Sequence, residues 1–428
     1  MVAKIYIKSQ LTIIIIVGIL IFAMTILLLY LVLSRTEKKL SSQSITSQHT
    51  TPEIASVREY VNKCLEDTSS RALEMMGKQG GNIYTSQGGR IPDPQQLGTD
   101  YLQFGSSKVM YGLKQPTGDI TNIFFANPPQ YPWIEFPYID SSFTSIQLSS
   151  NYGQNLLPQL NVTNTSMLAQ LVYYLDHNTA SCLNFRSAFK SYNITYTNVS
   201  SSVIIADNNL KGNLIINARI PIEINKVTGE QLTKMDSFSV PLKVRLALIY
   251  KLANTIIDKE SSDLNFDAAQ VTYDDMSVSV TRNVFNKDDI FTVTDSKSTL
   301  YGKQYSLQFS VQNRYPILHY IIEKNLPQLK EGDLITFNSS SPLIIIHDGE
   351  TLFEQDPSKN NPTTKSAYDP DNDQLNFSHN PALQYTIGAQ DVPPFANEWS
   401  LRVQVSDGQL ADYQDITFET VESKNDKK

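Results

Sequence analysis

Residues 398–421 read EWSLRVQVSDGQLADYQDITFETV, and this stretch carries the clearest structural pattern in the C-terminal part of the sequence. Apolar residues occupy alternate positions before and after the Asp-Gly pair at 407–408. A two-residue period interrupted by an Asp-Gly turn predicts two antiparallel strands that bury one face. Together with the strand-like runs before it, this hairpin predicts an all-β sandwich over residues 341–422.

A short acidic segment precedes this hairpin. Asp369, Asp371 and Asp373 stand at alternate positions in the sequence AYDPDNDQL, and Asp407 could join them across the sheet. Calcium binds six to eight oxygen ligands, so these four carboxylates are a candidate calcium site, the only cofactor that the sequence suggests. The segment is not an EF-hand, because Gln374 stands where that loop needs glycine. The alternative is a Pro-containing turn that caps a strand without an ion.

The segments around 367–375 and 405–408 resemble the cadherin-like and immunoglobulin-like modules of secreted adhesive proteins. The resemblance covers about 80 residues, the size of one sandwich domain. It implies that the C-terminal domain makes contacts outside the cell.

The N-terminal part contains a long apolar stretch. Residues 11–33 hold 23 residues without a charge, enough to cross about 30 Å of hydrocarbon as a helix. This predicts an uncleaved transmembrane anchor, a cytoplasmic tail at 1–10 and a polar stalk at 34–50, with the later domains outside the cell. Six Asn-x-Ser/Thr sequons agree with that orientation as candidate glycosylation sites. They are at Asn161, Asn164, Asn193, Asn198, Asn338 and Asn376.

The start of the apolar stretch permits a second interpretation. The residues around Ser9 and Gln10 resemble the processing site of archaeal type IV pilin precursors, which implies cleavage between these two residues. The acidic residue that pilins carry near the fifth mature position is Ile14 here. A filament subunit is therefore the alternative to a static anchor.

Residues 51–335 predict an α+β extracytoplasmic domain with an antiparallel sheet. Helical spacing begins at Pro52 and ends at Gly77, and two further helices are predicted over 166–190 and from Pro241 onward. Strand-like runs follow the second and third helices. The region 77–160 is rich in Gly, Pro and aromatic residues and predicts irregular structure.

The two cysteines, Cys64 and Cys182, each fall on the apolar face of a predicted helix. In an oxidising compartment they would form a disulfide worth up to about 4–5 kcal/mol in the chain-entropy model. The alternative is a pair of buried thiols that pack as small apolar groups.

The helix around Cys64, the segment 181–185 and the segment 240–246 resemble uncharacterised single-span surface proteins of small-genome archaea. This resemblance covers about two thirds of the chain. It implies a compartment and a layout, but no activity.

Composition and motifs exclude several functions. The net charge is -8, and residues 341–428 carry 15 acidic and 6 basic side chains. The sequence contains no basic stripe that could neutralise phosphates, so we do not expect a nucleic-acid partner. The sequence contains five histidines but no zinc-binding, serine-hydrolase, phosphate-loop or dinucleotide-binding motif.

We expect a non-enzymatic surface protein that acts in adhesion, binding or envelope scaffolding with a protein or glycan partner. The alternatives are the pilin-like subunit and a membrane-tethered hydrolase with its site within 82–160. Residues 423–428 are a polar tail.

Overall fold

The computed structural model describes Met24 and residues 52–115, 154–206, 212–261, 266–319, 321, 323–356, 365–380 and 384–422. The chain divides into two units, residues 1–60 and 61–428. Of the first unit, only Met24 and the helical residues 52–60 are described. The sheets and the candidate site belong to the second unit.

Four α-helices occur in the described residues. They are α1 (Pro52–Lys78), α2 (Met167–Asn178), α3 (Phe185–Ala188) and α4 (Leu246–Glu260). Helix α2 begins after Ser166, whose hydroxyl accepts a hydrogen bond from the N–H of Ala169 and so satisfies a free helix donor. Helix α4 buries Ile249 and Ile256 completely, and these residues lie two turns apart on its apolar face.

Twenty strands occur in the same residues. They are β1 (Tyr101–Phe104), β2 (Ser107–Lys114), β3 (Gln154–Asn155), β4 (Tyr192–Tyr196), β5 (Ser200–Ile205), β6 (Leu214–Lys226), β7 (Gln231–Leu242), β8 (Thr272–Tyr273), β9 (Met276–Phe285), β10 (Asp288–Leu300), β11 (Lys303–Val311), β12 (Ile317–Leu318), β13 (Leu334–Thr336), β14 (Ile344–His347), β15 (Glu350–Glu354), β16 (Ala367–Tyr368), β17 (Asn376–Asn380), β18 (Tyr385–Thr386), β19 (Glu398–Ser406) and β20 (Ala411–Glu419).

The largest sheet has seven strands in the order β1-β2-β11-β10-β9-β8, with β3 paired to β2. Its pairs are antiparallel except β2 with β11, which run parallel. Helix α4 packs against β10 and β11 of this sheet. The β9–β10 turn at Asn286 and Lys287 has positive φ at both residues, as two-residue hairpin turns require.

A second, four-stranded sheet is built around β6. Strand β7 pairs along one edge of β6, while β5 and β4 pair end to end along the other edge. Helix α2 packs against β5. Burial alternates along β6, so one face of this sheet is buried and the other is more exposed to solvent.

The C-terminal part contains a four-stranded sheet (β15-β14-β13-β18), a three-stranded sheet (β17-β19-β20) and the pair β12-β16. Ile335 and Ile345 from the first sheet share one apolar core with Val403 and Ile416 from the second. This β-rich part fits the predicted all-β sandwich. The hairpin that the sequence placed at 398–421 is formed by β19 and β20, paired from Glu398↔Glu419 to Ser406↔Ala411.

The predicted α+β class is wrong, because the fold is mostly β. Strands account for 42% and helices for 24% of the described residues. The third helix starts at Leu246 rather than Pro241, since Pro241 continues β7 opposite Ile215. Proline is tolerated there because β7 has a paired neighbour on one side only among the described strands. The second helix ends at Asn178 instead of continuing to residue 190.

The region 77–160 contains more regular structure than the sequence predicted. Strands β1 and β2 form within it, and β2 joins β11 in the large sheet. A short apolar run does not distinguish a strand from a turn of helix or a packed loop by periodicity alone. This ambiguity explains why strands were underestimated.

The predicted N-terminal transmembrane helix is not a feature of the described structure. Among the described residues, no helix is long and apolar enough to cross a membrane. Residues 11–33, apart from Met24, lie outside those residues. The same holds for the predicted tail at 1–10, the processing site at Ser9 and Gln10, the stalk at 34–50 and the polar tail at 423–428.

Candidate functional site

The acidic segment after β16 forms a tight turn. The backbone N–H groups of Asp371 and Asp373 both donate to Asp369 Oδ1 at 2.9 Å. Asn372 lies in the left-handed region, with φ of 60°. A carboxylate that accepts from the next residues is typical of an Asx-type turn, in which Asp and Asn are favoured. The turn fixes the Asp369 side chain on the inside of the loop.

A second turn supplies Asp407, which follows β19. Its Oδ1 accepts from the backbone N–H groups of Gln409 and Leu410, both at 2.6 Å. Gly408 takes the positive φ of 97° that this connection needs. The Asp407 carboxylate is therefore held rigidly at the end of the β19–β20 hairpin, and it is buried.

These two turns bring three carboxylates together. One oxygen from each of Asp369, Asp373 and Asp407 lies within 4.8 Å of the others. Asn313 borders the cluster, since its Nδ2 donates to Asp407 Oδ2 at 2.8 Å. Carboxylate and amide oxygens are the ligands that hard divalent cations prefer. These three carboxylates, here called the acidic cluster, could hold a metal ion.

Two buried oxygens at the acidic cluster have no hydrogen-bond partner among the described residues. They are Asp369 Oδ2 and Asn313 Oδ1. The Asn313 side chain belongs to a residue that is only 2% exposed. A buried polar atom without a partner costs free energy, about 1–3 kcal/mol, so such atoms are rare unless a ligand satisfies them. Both oxygens are acceptors, and an acceptor can be satisfied by a cation.

One basic side chain already touches the cluster. Lys287, from the β9–β10 turn, places its Nζ 2.9 Å from Asp373 Oδ2. Partial burial works to lower the pKa of Lys287, but the hydrogen bond to Asp373 and the charges of Asp407 and Asp369 outweigh it and raise that pKa. Lys287 is therefore a cation that offsets part of the negative charge.

Asp371, which the sequence grouped with the other three carboxylates, points elsewhere. Its Oδ1 accepts from Arg314 Nη2 at 2.7 Å, and its Oδ2 accepts from the Arg314 backbone N–H at 2.7 Å. Arg314 is fully buried and also donates to Glu260 Oε2 at 2.8 Å. Asp371 thus belongs to a buried ion triad that connects the acidic turn to the end of α4.

Burial shifts the pKa of several carboxyl groups in this region. Desolvation, reinforced by the charges of Asp371 and Asp373, raises the pKa of Asp369 to about 7. Burial also raises the pKa of Asp288 to about 6 and that of Asp289 to about 6. Desolvation disfavours the charged form of a carboxyl group, whereas a nearby positive charge favours it. A cation bound at Asp369 would therefore stabilise its ionised form.

A cavity of about 460 Å³ opens beside the acidic cluster. Asp369 and Asp373 line it together with the basic side chains Arg282 and Lys365. Arg282 is fixed in place, since its Nη1 donates to Asp289 Oδ2 at 2.6 Å and to the Asp371 carbonyl at 2.7 Å. A metal on the cluster would therefore form part of the cavity wall.

The two cysteines are bonded to each other. The Cα atoms of Cys64 and Cys182 lie 5.9 Å apart, and the disulfide joins positions 118 residues apart. Cys64 lies on α1, whereas Cys182 ends a short 3-10 turn, Thr179–Cys182, beyond α2. The disulfide therefore links α1 to the segment that lies between β3 and β4 in the sequence.

The six sequon asparagines are all exposed. Each could accept a glycan without disturbing a core. These asparagines are Asn161, Asn164, Asn193, Asn198, Asn338 and Asn376.

His347, on β14, lies between two carboxylates. His347 Nδ1 lies 2.5 Å from Asp333 Oδ1, and its Nε2 lies 3.5 Å from Asp348 Oδ2. Both ring nitrogens therefore face acidic groups. Within the predicted hydrolase region, residues 82–115 and 154–160 are described, whereas 116–153 lie outside the described residues.

Sequence reasoning missed Lys287, Asn313 and Arg314. The Asn-Lys pair at 286–287 signals a hairpin turn, but nothing in the sequence indicates which segment that turn meets. The three residues lie 55 or more positions before the acidic turn in the sequence, and only the fold brings them to it.

Comparisons with known proteins add little. No family model and no curated protein matches the chain. One solved structure, an endo-fucoidan hydrolase from glycoside hydrolase family 107, is 9% identical with a TM-score of 0.14. The match covers 60% of this chain and about half (49%) of that protein. A similarity this low carries no argument about fold or function.

Proposed function

We propose that this chain is an extracytoplasmic binding or scaffolding protein whose C-terminal β-sandwich is stabilised by a bound calcium ion. The observation that carries this proposal is the acidic cluster of Asp369, Asp373 and Asp407, where Asp369 Oδ2 is buried and has no hydrogen-bond partner in the described part of the chain. We propose a binding role because the clustered carboxylates suit the coordination of a hard cation.

Calcium fits the ligand set better than other metals do. Zinc prefers His and Cys, and none of the clustered residues is of either type. Magnesium demands a near-ideal octahedron at short distances, whereas calcium accepts six to eight oxygens in flexible geometry. Three carboxylates from two turns, with the Asn313 amide beside them, match the calcium pattern.

The position of the cluster suggests what the ion does. Asp369 and Asp373 follow β16, Asp407 follows β19, and Asn313 and Lys287 belong to the end and the turn of the seven-stranded sheet. An ion bound there would connect the acidic turn, the β19–β20 hairpin and the preceding sheet. When calcium is bound, the C-terminal strands would then gain a further link to the seven-stranded sheet, in addition to the Lys287–Asp373 ion pair.

Two further features support the proposed extracytoplasmic compartment. Disulfides persist in oxidising environments, and Cys64 and Cys182 are bonded. Calcium modules outside cells bind with dissociation constants of about 10⁻⁴–10⁻³ M, which a site with three carboxylates can reach. The exposed sequons are compatible with the same location.

Thermal unfolding of the full chain tests the proposal. We expect calcium chloride to raise the Tm relative to EDTA, by the stabilisation that a saturating ligand gives, about 2.7 kcal/mol at 100 times its Kd. Asp373→Asn should abolish that shift. Asp348→Asn is the matched control, because Asp348 is 91% exposed and is not one of the clustered carboxylates. An unchanged Tm in calcium for the wild-type chain would overturn the proposal.

A further inference from the structure

We infer that the cavity beside the acidic cluster binds an acidic saccharide, which coordinates the same calcium ion. The inference rests on the proposed calcium site and goes beyond it by naming the class of ligand. Three features of the cavity carry it: its shared wall with the cluster, its charge, and the chemistry of its lining.

The shared wall comes from Asp369 and Asp373, which belong both to the acidic cluster and to the cavity lining. The cavity volume of about 460 Å³ lies in the range of small-molecule sites, about 300–1,000 Å³. Three carboxylates, each offering one oxygen, leave calcium with vacant coordination positions, since it takes six to eight oxygens. A ligand in the cavity can therefore reach the ion directly.

The charge of the cavity depends on the ion. Its lining contains the carboxylates of Asp267, Asp369 and Asp373 and the cationic groups of Arg282 and Lys365. Without metal the carboxylates outnumber the cations. A bound divalent ion reverses that balance, so the filled site attracts an anionic group. Lys365 is exposed in the cavity lining, where its ammonium group can pair with that anionic group.

The rest of the lining favours a hydroxylated ring. Gln270 and Asn372 offer amide groups that both donate and accept hydrogen bonds. Phe266 is half-buried and presents an apolar surface on which the C–H face of a sugar can pack. Vicinal hydroxyls supply two neutral oxygens at the spacing that calcium chelation needs. Amides, an aromatic ring, a metal and a cation together match a uronic acid.

Saturation-transfer NMR on the full chain tests this inference with glucuronic acid and glucose, which differ only in the carboxylate. We expect saturation transfer to glucuronic acid in calcium and its loss in EDTA, with weaker transfer to glucose. Lys365→Gln should raise the Kd for glucuronic acid about tenfold, the loss of one charge-assisted contact, and leave glucose unchanged. Phe266→Ala should weaken both sugars. Lys303→Gln is the control, since Lys303 is exposed outside the cavity lining.

The outcomes separate this inference from the proposed function. If calcium stabilises the chain but glucuronic acid receives no saturation transfer, the saccharide site is wrong and the calcium site stands. If calcium neither binds nor stabilises, both fall together. Saturation transfer that persists in EDTA and in both cavity variants would place the sugar elsewhere and would overturn the inference.

Discussion

Lys287 Nζ lies 2.9 Å from Asp373 Oδ2, so the turn of the β9–β10 hairpin supplies a cation to the acidic cluster. An ammonium group and a calcium ion are attracted by the same carboxylates. Lys287 therefore neutralises part of the cluster when metal is absent and competes with metal when it is present. The same contact joins the seven-stranded sheet to the acidic turn.

Replacing Lys287 should strengthen calcium binding. In Lys287→Met the competing charge is gone while the aliphatic stem remains, so we expect the calcium Kd to fall about tenfold. In EDTA the same variant should have a lower Tm than the wild-type chain, because the cluster loses its counter-charge. Calorimetric titration with calcium measures the first effect, and thermal unfolding measures the second.

Lys303→Met is the control for that experiment. Lys303 begins β11 and is exposed, and it is not an ion-pair partner of the cluster. It should leave both the Kd and the Tm in EDTA unchanged. Weaker calcium binding in Lys287→Met would show that the lysine positions the carboxylates rather than competing for them.

The buried ion triad predicts a large loss of stability. Arg314→Met leaves Asp371 and Glu260 without their cation in a site that excludes water. Removing one partner of a buried pair costs about 3–5 kcal/mol, because an uncompensated charge stays buried. Urea unfolding in EDTA at neutral pH gives the change in the free energy of unfolding.

Arg402→Met provides the comparison for the triad. Arg402 pairs with Asp415 at 2.7 Å, but their side chains are 40% and 50% exposed. An exposed pair contributes about 0–1 kcal/mol. Equal losses in Arg314→Met and Arg402→Met would contradict the view that burial gives the triad its importance.

Asp412 predicts how stability depends on pH. Burial raises its pKa to about 8, well above the ordinary value for an Asp carboxyl. The unfolded chain loses this proton near pH 4 and the folded chain near pH 8, so the folded state binds the extra proton between those values. The contribution of Asp412 to the free energy of unfolding is therefore fully present below about pH 4. It is lost as the pH rises to about 8, at a rate of up to about 1.4 kcal/mol per pH unit.

Asp412→Asn should flatten that decline in urea unfolding measured from pH 5 to pH 8. Asp415→Asn, on the same strand, is the matched control. Its carboxyl pKa is lowered, chiefly by the hydrogen bond from Arg402, so its contribution has the opposite sign and is lost as pH falls. A wild-type slope that persists in Asp412→Asn would assign the pH dependence to other buried carboxyls.

The disulfide predicts a loss of about 4–5 kcal/mol when both cysteines are replaced by serine. The bond closes a loop of more than a hundred residues, which restricts the unfolded chain. Dithiothreitol should lower the Tm of the wild-type chain and leave that of the Cys64→Ser/Cys182→Ser variant unchanged. An equal effect of the reductant on both proteins would count against the bond.

Local sequence patterns predicted the elements that depend on neighbours along the chain. Helix α1 extends from Pro52 to Lys78, close to the predicted bounds, and β19 and β20 form the predicted hairpin. In these elements the hydrophobic period and the turn residues agree. The fold class was wrong because helix α2 is shorter than predicted, because helix α4 begins at Leu246 rather than Pro241, and because β1 and β2 form in a region that was predicted to be irregular.

The acidic cluster was predicted in part. Alternate spacing suggested that Asp369, Asp371 and Asp373 share one side, as they would in a strand. The segment is instead a turn with Asn372 in the left-handed region, so Asp371 diverges toward Arg314. The neighbours Lys287 and Asn313 could not be predicted, because only tertiary pairing places their strands beside the turn.

Calorimetric titration of the metal-free full chain with calcium chloride tests the central claim most directly. We predict one calcium ion per chain for the wild type, and no binding at that site in Asp407→Asn or Asp373→Asn, with Asp348→Asn unchanged. No heat of binding in the wild type, or binding that survives both cluster substitutions, would show that Asp369, Asp373 and Asp407 do not hold calcium.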